Sequence, residues 1–272
     1  MKPLSWRLSR SCRLIEALRE RVTSSHSARS LKRSLERNRC RVNGRIERFA
    51  SSRVEKGDLI EFVFSQEEPK LTVPSILYEN DDLLILDKPA GVVCSDDMLR
   101  SRLFLAHRLD KDTTGVLLFG KTKPVVDQLH EQFKERRMEK EYLALVDGTP
   151  HKQSGVIISN LTKKGSYQGQ TIWGSSSNGL YAETAWSIHT AYADRALLHC
   201  KPKTGRTHQI RVHLAEMGHP ILVDRQYASH FRSKIFATRP LLHAWRLQFI
   251  WKGKELLFEA PLPEDLYAHT HR

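Results

Sequence analysis

The chain has 272 residues, 40% of them apolar and 28% charged, with a formal net charge of +13 and a pI near 9.7. That length can bury one substantial core plus a small accessory domain, and the apolar share excludes general disorder. The charge asks for a polyanionic partner, while no apolar run approaches the ~20 residues of a membrane span. Met1-Lys2-Pro3-Leu4-Ser5-Trp6-Arg7 sets charge and a proline where a signal peptide needs an apolar stretch. Cys12, Cys40, Cys94 and Cys200 lie far apart with no CxxC pair, as reduced thiols of a cytoplasmic protein would.

Taken in chain order, residues 1–62 hold 16 Lys and Arg against 7 Asp and Glu, so +9 of the charge sits in under a quarter of the length. Arg13 to Arg21 reads as a short amphipathic helix with Leu14, Ile15 and Leu18 on one face. A second helix is predicted from Ser27 to Arg37, its stripe formed by Ala28, Leu31 and Leu35. Arg41-Val42-Asn43-Gly44-Arg45-Ile46 then reads as strand, tight Asn-Gly turn and returning strand. Val54 to Phe62 adds another turn and strand. Two helices followed by a small basic hairpin resemble the S4 RNA-binding domain. That resemblance implies RNA backbone contacts from Arg29, Lys32, Arg33, Arg41, Asn43 and Arg45. The residues alone equally describe a small α+β cap with a charged exterior.

The first domain is assigned to 1–64 and a polar linker, around Ser65-Gln66-Glu67-Glu68-Pro69-Lys70, to 65–75. The second domain covers 76–272. Leu83 to Leu86 is a compact apolar run that ends at the turn Lys88-Pro89-Ala90-Gly91. Gly115 to Gly120 is a second buried strand, and Val125 to Phe133 has helical spacing. Lys140–Val146 and Ala196–Cys200 alternate as strands. Thr207 to Met217 is helical, with Gly218 as its stop, and Gly174 to Gly179 is a hairpin tip. Strands with scattered helices and no regular βαβ rhythm predict an α+β fold.

Two clusters carry chemistry. His107-Arg108-Leu109-Asp110-Lys111-Asp112-Thr113-Thr114-Gly115 places a carboxylate between a basic segment and a buried strand. Asp110, Asp112 and Gly115 would also suit an Asx-turn leading into that strand. Thr204-Gly205-Arg206-Thr207-His208-Gln209-Ile210-Arg211, about a hundred residues on, supplies an arginine able to meet a carboxylate at two points, which lysine cannot. Both stretches resemble the signature segments of the RluA/RluD-type pseudouridine synthases, which isomerise uridine within RNA. Glu139-Lys140-Glu141-Tyr142-Leu143 resembles that family's middle motif. Gly218-His219-Pro220-Ile221, Asp224, Tyr227, Leu242-His243-Ala244 and Phe258 to Pro263 extend the likeness to about residues 12–265.

The resemblance implies a mixed, mainly antiparallel catalytic sheet behind the S4-like domain, acting on structured RNA, above all large-subunit (23S) ribosomal RNA; the oligomeric state stays open, with a monomer favoured. It implies Asp110 as nucleophile, Arg211 as its partner, and Tyr142 stacked on the base with a hydroxyl for proton traffic. Ile210 would be an apolar wall, Arg108 would help displace the nucleotide, and His107, Arg206 and Thr207 would contact the RNA. Whether Asp110 attacks base or sugar stays open. Moving a base from N1 to C5 involves neither redox chemistry nor hydrolysis, so no cofactor and no metal is expected, and the thirteen histidines show no ligand spacing. Cys94-Ser95-Asp96-Asp97 stands where many members have a histidine and a longer insert, and Val223 stands where glycine is common. Two rivals remain at this stage. A non-catalytic S4-type RNA-binding or ribosome-assembly protein would share the charge but not the three motifs, and a glycosidase would need a second flanking acid.

Overall fold

The computed structural model describes residues 4–22, 28–36, 39–63, 74–95, 103–167, 170–228, 230–235 and 237–270, without the side chains of residues 29, 33, 36, 167 and 170. The chain divides into two units, Met1–Leu71 with Phe236–Arg239, and Thr72–Ile235 with Pro240–Arg272. The predicted linker falls largely outside the described residues.

In the first unit, helices Leu14–Arg21 and Ala28–Glu36 accompany a four-stranded antiparallel sheet. Its strand order is Leu4–Arg7, Leu59–Phe62, Cys40–Val42, Arg45–Ile46. The core is built from the predicted helix stripes, Leu14, Leu18, Leu31 and Leu35, against Cys40, Val54, Ile60 and Phe62. Asn43 and Gly44 both take positive φ, 52° and 76°, as a two-residue hairpin turn requires. Leu4–Arg7 is an edge strand that the sequence reading did not include.

The second unit is organised by one sheet of eleven strands. Its central path runs Gln170–Ser175, Ser154–Tyr167, Leu180–Ala191, Arg195–Pro202, Glu139–Asp147, Leu242–Trp251, Thr114–Gly120, Leu83–Lys88, Ser75–Glu79. Every pairing is antiparallel except that of Thr114–Gly120 with Leu242–Trp251, where Thr114 faces His243 and Gly115 faces Ala244. The α+β fold with a mixed, mainly antiparallel sheet is thus as predicted.

Strand Thr114–Gly120 is buried at all seven positions. Val116 and Leu118 pack on one side with helix Lys123–Lys134, while Leu117 and Phe119 pack on the other with Leu86 and Leu109. Each such side chain contributes about 1.5–3 kcal/mol of burial, which makes this strand a stiff base for the loop before it. Thr122 caps helix Lys123–Lys134 by accepting the Val125 N–H, with Pro124 in the first turn. Gly115 has φ +111°, and a Cβ there would lie 2.0 Å from the Ala244 carbonyl oxygen, so the parallel pairing demands glycine. No helix among the described residues is long and apolar enough to cross a membrane.

Candidate active site

An open cleft in the second unit is lined chiefly from three places. Arg108, Asp110 and Thr113 come from the loop before strand Thr114–Gly120. Lys140 and Tyr142 come from one face of strand Glu139–Asp147. Thr204, Arg206, His208, Ile210 and Arg211 come from the entry to helix Gln209–Glu216. The Asp110 carbonyl accepts the Thr113 N–H, closing the turn expected from sequence. Thr114 then bonds His243 Nδ1 at 2.8 Å, which anchors the turn to the sheet.

Asp110 is partly open to the cleft, and Arg211 Nη1 donates to its Oδ2 at 3.2 Å. The guanidinium is itself clamped from behind. Nε and Nη2 donate to the two oxygens of Asp224 at 2.6 and 2.9 Å, and Nη2 also donates to Gln226 Oε1 at 2.6 Å. Tyr227 lies with its ring centroid 5.1 Å from the guanidinium carbon. Burial works against the arginine's charge, but Asp224, through its charge and hydrogen bonds, and then Asp110 more than offset it, so the pKa is raised. The cation is therefore permanent and oriented.

His208, in the left-handed region at φ 56°, bonds the Tyr227 hydroxyl through Nδ1 at 2.6 Å and brings Nε2 within 3.8 Å of Asp110. Burial and the neighbouring Arg211 lower its pKa. Tyr142 forms part of the cleft wall beside Ile210. Burial, and then the charge of Asp110, push its hydroxyl up, so it stays protonated and able to donate. Gln209 fixes the loop: its Oε1 accepts from Thr204 Oγ1 and the Arg206 N–H, and its Nε2 donates to the Glu183 carbonyl and Thr184.

The structure thus gathers Asp110, Arg108, Tyr142, Arg206, Ile210 and Arg211 around one cleft. Two expected RNA contacts are placed elsewhere. His107 turns inward, packs against Phe133 at 5.2 Å and accepts the Leu118 N–H at Nε2. Burial holds its pKa down at about 3, so it is a neutral strut with no charge to offer a phosphate. Thr207 is exposed and outside the cleft lining. His213 is structural, bonded to Thr184 and Ser159.

In the first unit, Asn43 spends its side chain on Asp58 and the Leu59 N–H, so its role there is to hold the turn. Arg41 turns a guanidinium N–H onto the Gly44 carbonyl, while Lys32 and Arg45 are exposed. The side chains of Arg29 and Arg33 lie outside the described residues, as does Asp96-Asp97.

Sequence reasoning placed Asp224 in a family-like segment but missed it as the clamp, and it passed over Lys140 and Gln209 as cleft residues. The available signal for Lys140 was its place two residues before Tyr142 on an extended strand, which puts both on one face. Val223, where glycine is common, adopts φ 70° directly before Asp224. Among the described residues, no group of three or more His, Cys, Asp or Glu side chains is arranged to hold a metal ion.

A family model described as RNA pseudouridylate synthase matches residues 82–216. The ribosomal large subunit pseudouridine synthase C of Escherichia coli K12 is 37% identical over 214 residues, 70% of this chain and 67% of that protein. The Pasteurella multocida protein of the same name is 37% identical over 212 residues, 70% of this chain and 65% of that one. The chain therefore spans about two thirds of the length of these relatives. Among solved structures, the human RNA Pseudouridylate Synthase Domain Containing 4 aligns with a TM-score of 0.62 at 26% identity, covering 72% of this chain and 92% of that one. The human Domain Containing 1 protein aligns with a TM-score of 0.60 at 28% identity, covering 72% and 86%.

Proposed function

The chain belongs to the RNA pseudouridylate synthase family, and from that membership we propose that it isomerises uridine to pseudouridine in large-subunit ribosomal RNA. The relatives' names refer to the ribosomal large subunit, and the net charge of +13 suits such a polyanion. The observation that carries the reading is Asp110, open to a cleft beside Tyr142 and met at 3.2 Å by an arginine that Asp224 holds in place.

In this reading Asp110 is the nucleophile toward the extruded uridine. Arg211 holds the carboxylate in its orientation, and Tyr142 stacks on the base while its protonated hydroxyl serves proton traffic at C5. Ile210 closes the apolar side of the cleft. Arg108, exposed at the rim, meets the cost of drawing the nucleotide out of its stack. Arg206 at the rim contacts the backbone. The first unit acts as an S4-like module, in which Lys32 and Arg45 present charge to RNA phosphates, with Arg29 and Arg33 on the same predicted helix. Phosphate contacts give affinity without sequence, and the cleft selects the uridine. The protein works as a cytoplasmic monomer.

The test is tritium release from a large-subunit ribosomal RNA transcript carrying 5-tritiated uridine, since forming the C5–C1′ bond expels the C5 hydrogen. Wild-type protein releases tritium. Asp110→Asn abolishes release while RNA affinity stays within about threefold, because the substitution removes no phosphate contact. Release by Asp110→Asn at near the wild-type rate would refute the assignment.

A further inference from the structure

Lys140 is a cation in the cleft that no carboxylate among the described residues pairs with. It stands two residues from Tyr142 on strand Glu139–Asp147, on the same face, and lines the cleft with it. Its Nζ donates to the Thr204 carbonyl oxygen at 3.0 Å, and a Cβ on Gly205 would lie 3.7 Å from it. That one carbonyl fixes the ammonium in position and leaves two of its three N–H groups for something else. No carboxylate among the described residues pairs with it. The groups around it are Asp110, Arg206, His208, Arg211 and Tyr142 in the cleft, with His107 behind. Asp110 already takes Arg211.

Half-buried cations are costly unless something compensates them, and among the described residues the Thr204 carbonyl is the partner of this one. Pseudouridine formation, the reading on which this inference rests, supplies a transient anion. The N1–C1′ bond breaks with its electron pair moving to the base, so the freed uracil carries negative charge spread over N1 and its carbonyl oxygens. After the base turns, C5 gives an electron pair to C1′, the C5 proton leaves, and N1 takes up a proton. Atoms and charge balance, with no oxidant or metal drawn in.

We propose that Lys140 is a further catalytic residue, whose ammonium binds a carbonyl oxygen of the uracil anion while the base is detached. The group is strongest where charge develops and contributes little to ground-state binding of neutral uridine. The ring would lie over Tyr142 with one oxygen toward Lys140, on the strand that carries both. Burial pulls the lysine's pKa down to about 8, which leaves it mostly charged at neutral pH.

The experiment is single-turnover kinetics with Lys140→Met and Lys140→Arg on two large-subunit ribosomal RNA transcripts, one containing uridine and one containing 5-fluorouridine, followed on both as loss of the N1-linked nucleoside, because fluorine at C5 blocks only the final proton loss. Fluorine makes the base anion more stable and so less dependent on help. Lys140→Met should lower the single-turnover rate on uridine by about a hundredfold, with RNA affinity within about threefold. The deficit should shrink to about tenfold or less on 5-fluorouridine, and Lys140→Arg should recover most of the rate. The wild-type rate should fall above pH 8, and Lys140→Arg should move that fall to higher pH.

An equal deficit on both transcripts would overturn the proposal. So would loss of affinity with an unchanged rate and a shallower salt dependence, which would make Lys140 a phosphate contact. Absence of turnover by the wild-type protein would instead bring down the pseudouridine synthase reading, and this inference with it.

Discussion

Asp224 grips Arg211 at two points, 2.6 and 2.9 Å, so the arginine meets Asp110 with a single N–H at 3.2 Å. The proposed catalytic pair is therefore positioned by a carboxylate outside the cleft lining. Asp224 is 1% exposed and Arg211 is 8% exposed, so removing one charge leaves the other buried and uncompensated. Asp224→Ala should destabilise the protein by about 3–5 kcal/mol, read by urea unfolding. Asp224→Asn, which keeps the shape, should lose less stability and still lower turnover by about 10- to 100-fold, because a neutral amide holds the guanidinium less firmly. Unaltered turnover in the asparagine variant would remove Asp224 from the positioning role.

His107 links the same loop to pH. Its folded pKa, about 3, lies below the ordinary histidine value of 6.5, so the unfolded chain binds a proton that the folded chain refuses. Stability from this site is complete above pH 6.5 and is lost as pH falls from 6.5 toward 3, with a slope of at most about 1.4 kcal/mol per pH unit. His107→Gln, whose amide oxygen can accept the Leu118 N–H, should flatten that acid limb in urea titrations run between pH 7 and 4. An unchanged limb would mean that the acid sensitivity arises elsewhere.

Val223 shows two opposing effects at one residue. A β-branched side chain at φ 70° costs about 1–3 kcal/mol of backbone strain. The same side chain is 2% exposed, and deleting it forfeits roughly 2–3 kcal/mol of burial. Val223→Gly should therefore come out within about 1 kcal/mol of neutral. Val116→Gly, in a strand with no such strain, should cost about 3 kcal/mol or more. Equal losses in the two variants would show that Val223 is not strained.

Gly115 allows no such compensation. A methyl group 2.0 Å from the Ala244 carbonyl oxygen must push strand Leu242–Trp251 away from strand Thr114–Gly120. Gly115→Ala should cost more than about 3 kcal/mol, seen as a large fall in melting temperature. Wild-type stability would imply that the strands are less closely paired than they are here.

Lys32 and Arg45 carry the proposed role of the first unit. Replacing both by alanine should weaken RNA binding at low salt and reduce the slope of log affinity against log salt by about 1.4–1.8. An unchanged slope would take these side chains off the RNA.

The helices at Leu14–Arg21, Lys123–Lys134 and Gln209–Glu216 were legible because their apolar positions recur with helical spacing. Strands Leu83–Lys88 and Thr114–Gly120 were legible because burial left dense apolar runs, and Glu139–Asp147 because its residues alternate. Strands Ser154–Tyr167, Gln170–Ser175 and Leu180–Ala191 were not. Val156, Ile158 and Leu180 are 57%, 61% and 60% exposed, so apolar alternation there does not track a core. Leu4–Arg7 is too short to give a period.

At the site, Asp110 and Arg211 lie 101 residues apart, and only the family-like segments around them suggested that they meet. Asp224 belongs to the turn beyond helix Gln209–Glu216, where no periodicity relates it to Arg211. Lysine on a strand ordinarily reads as solvent-facing, which concealed Lys140. The inward hydrogen bonds of His107 and Asn43 were not legible either, because each reaches a backbone N–H more than ten residues away in sequence.

Strand Leu242–Trp251 wedges between the strand that follows Asp110 and the strand that bears Tyr142, and these two touch no other way within the sheet path. Joining the two sides of the cleft through the sheet therefore requires a segment that is synthesised after both of them. A ribosome-bound chain halted before residue 242 would lack the strand that joins the segment after Asp110 to the segment bearing Tyr142.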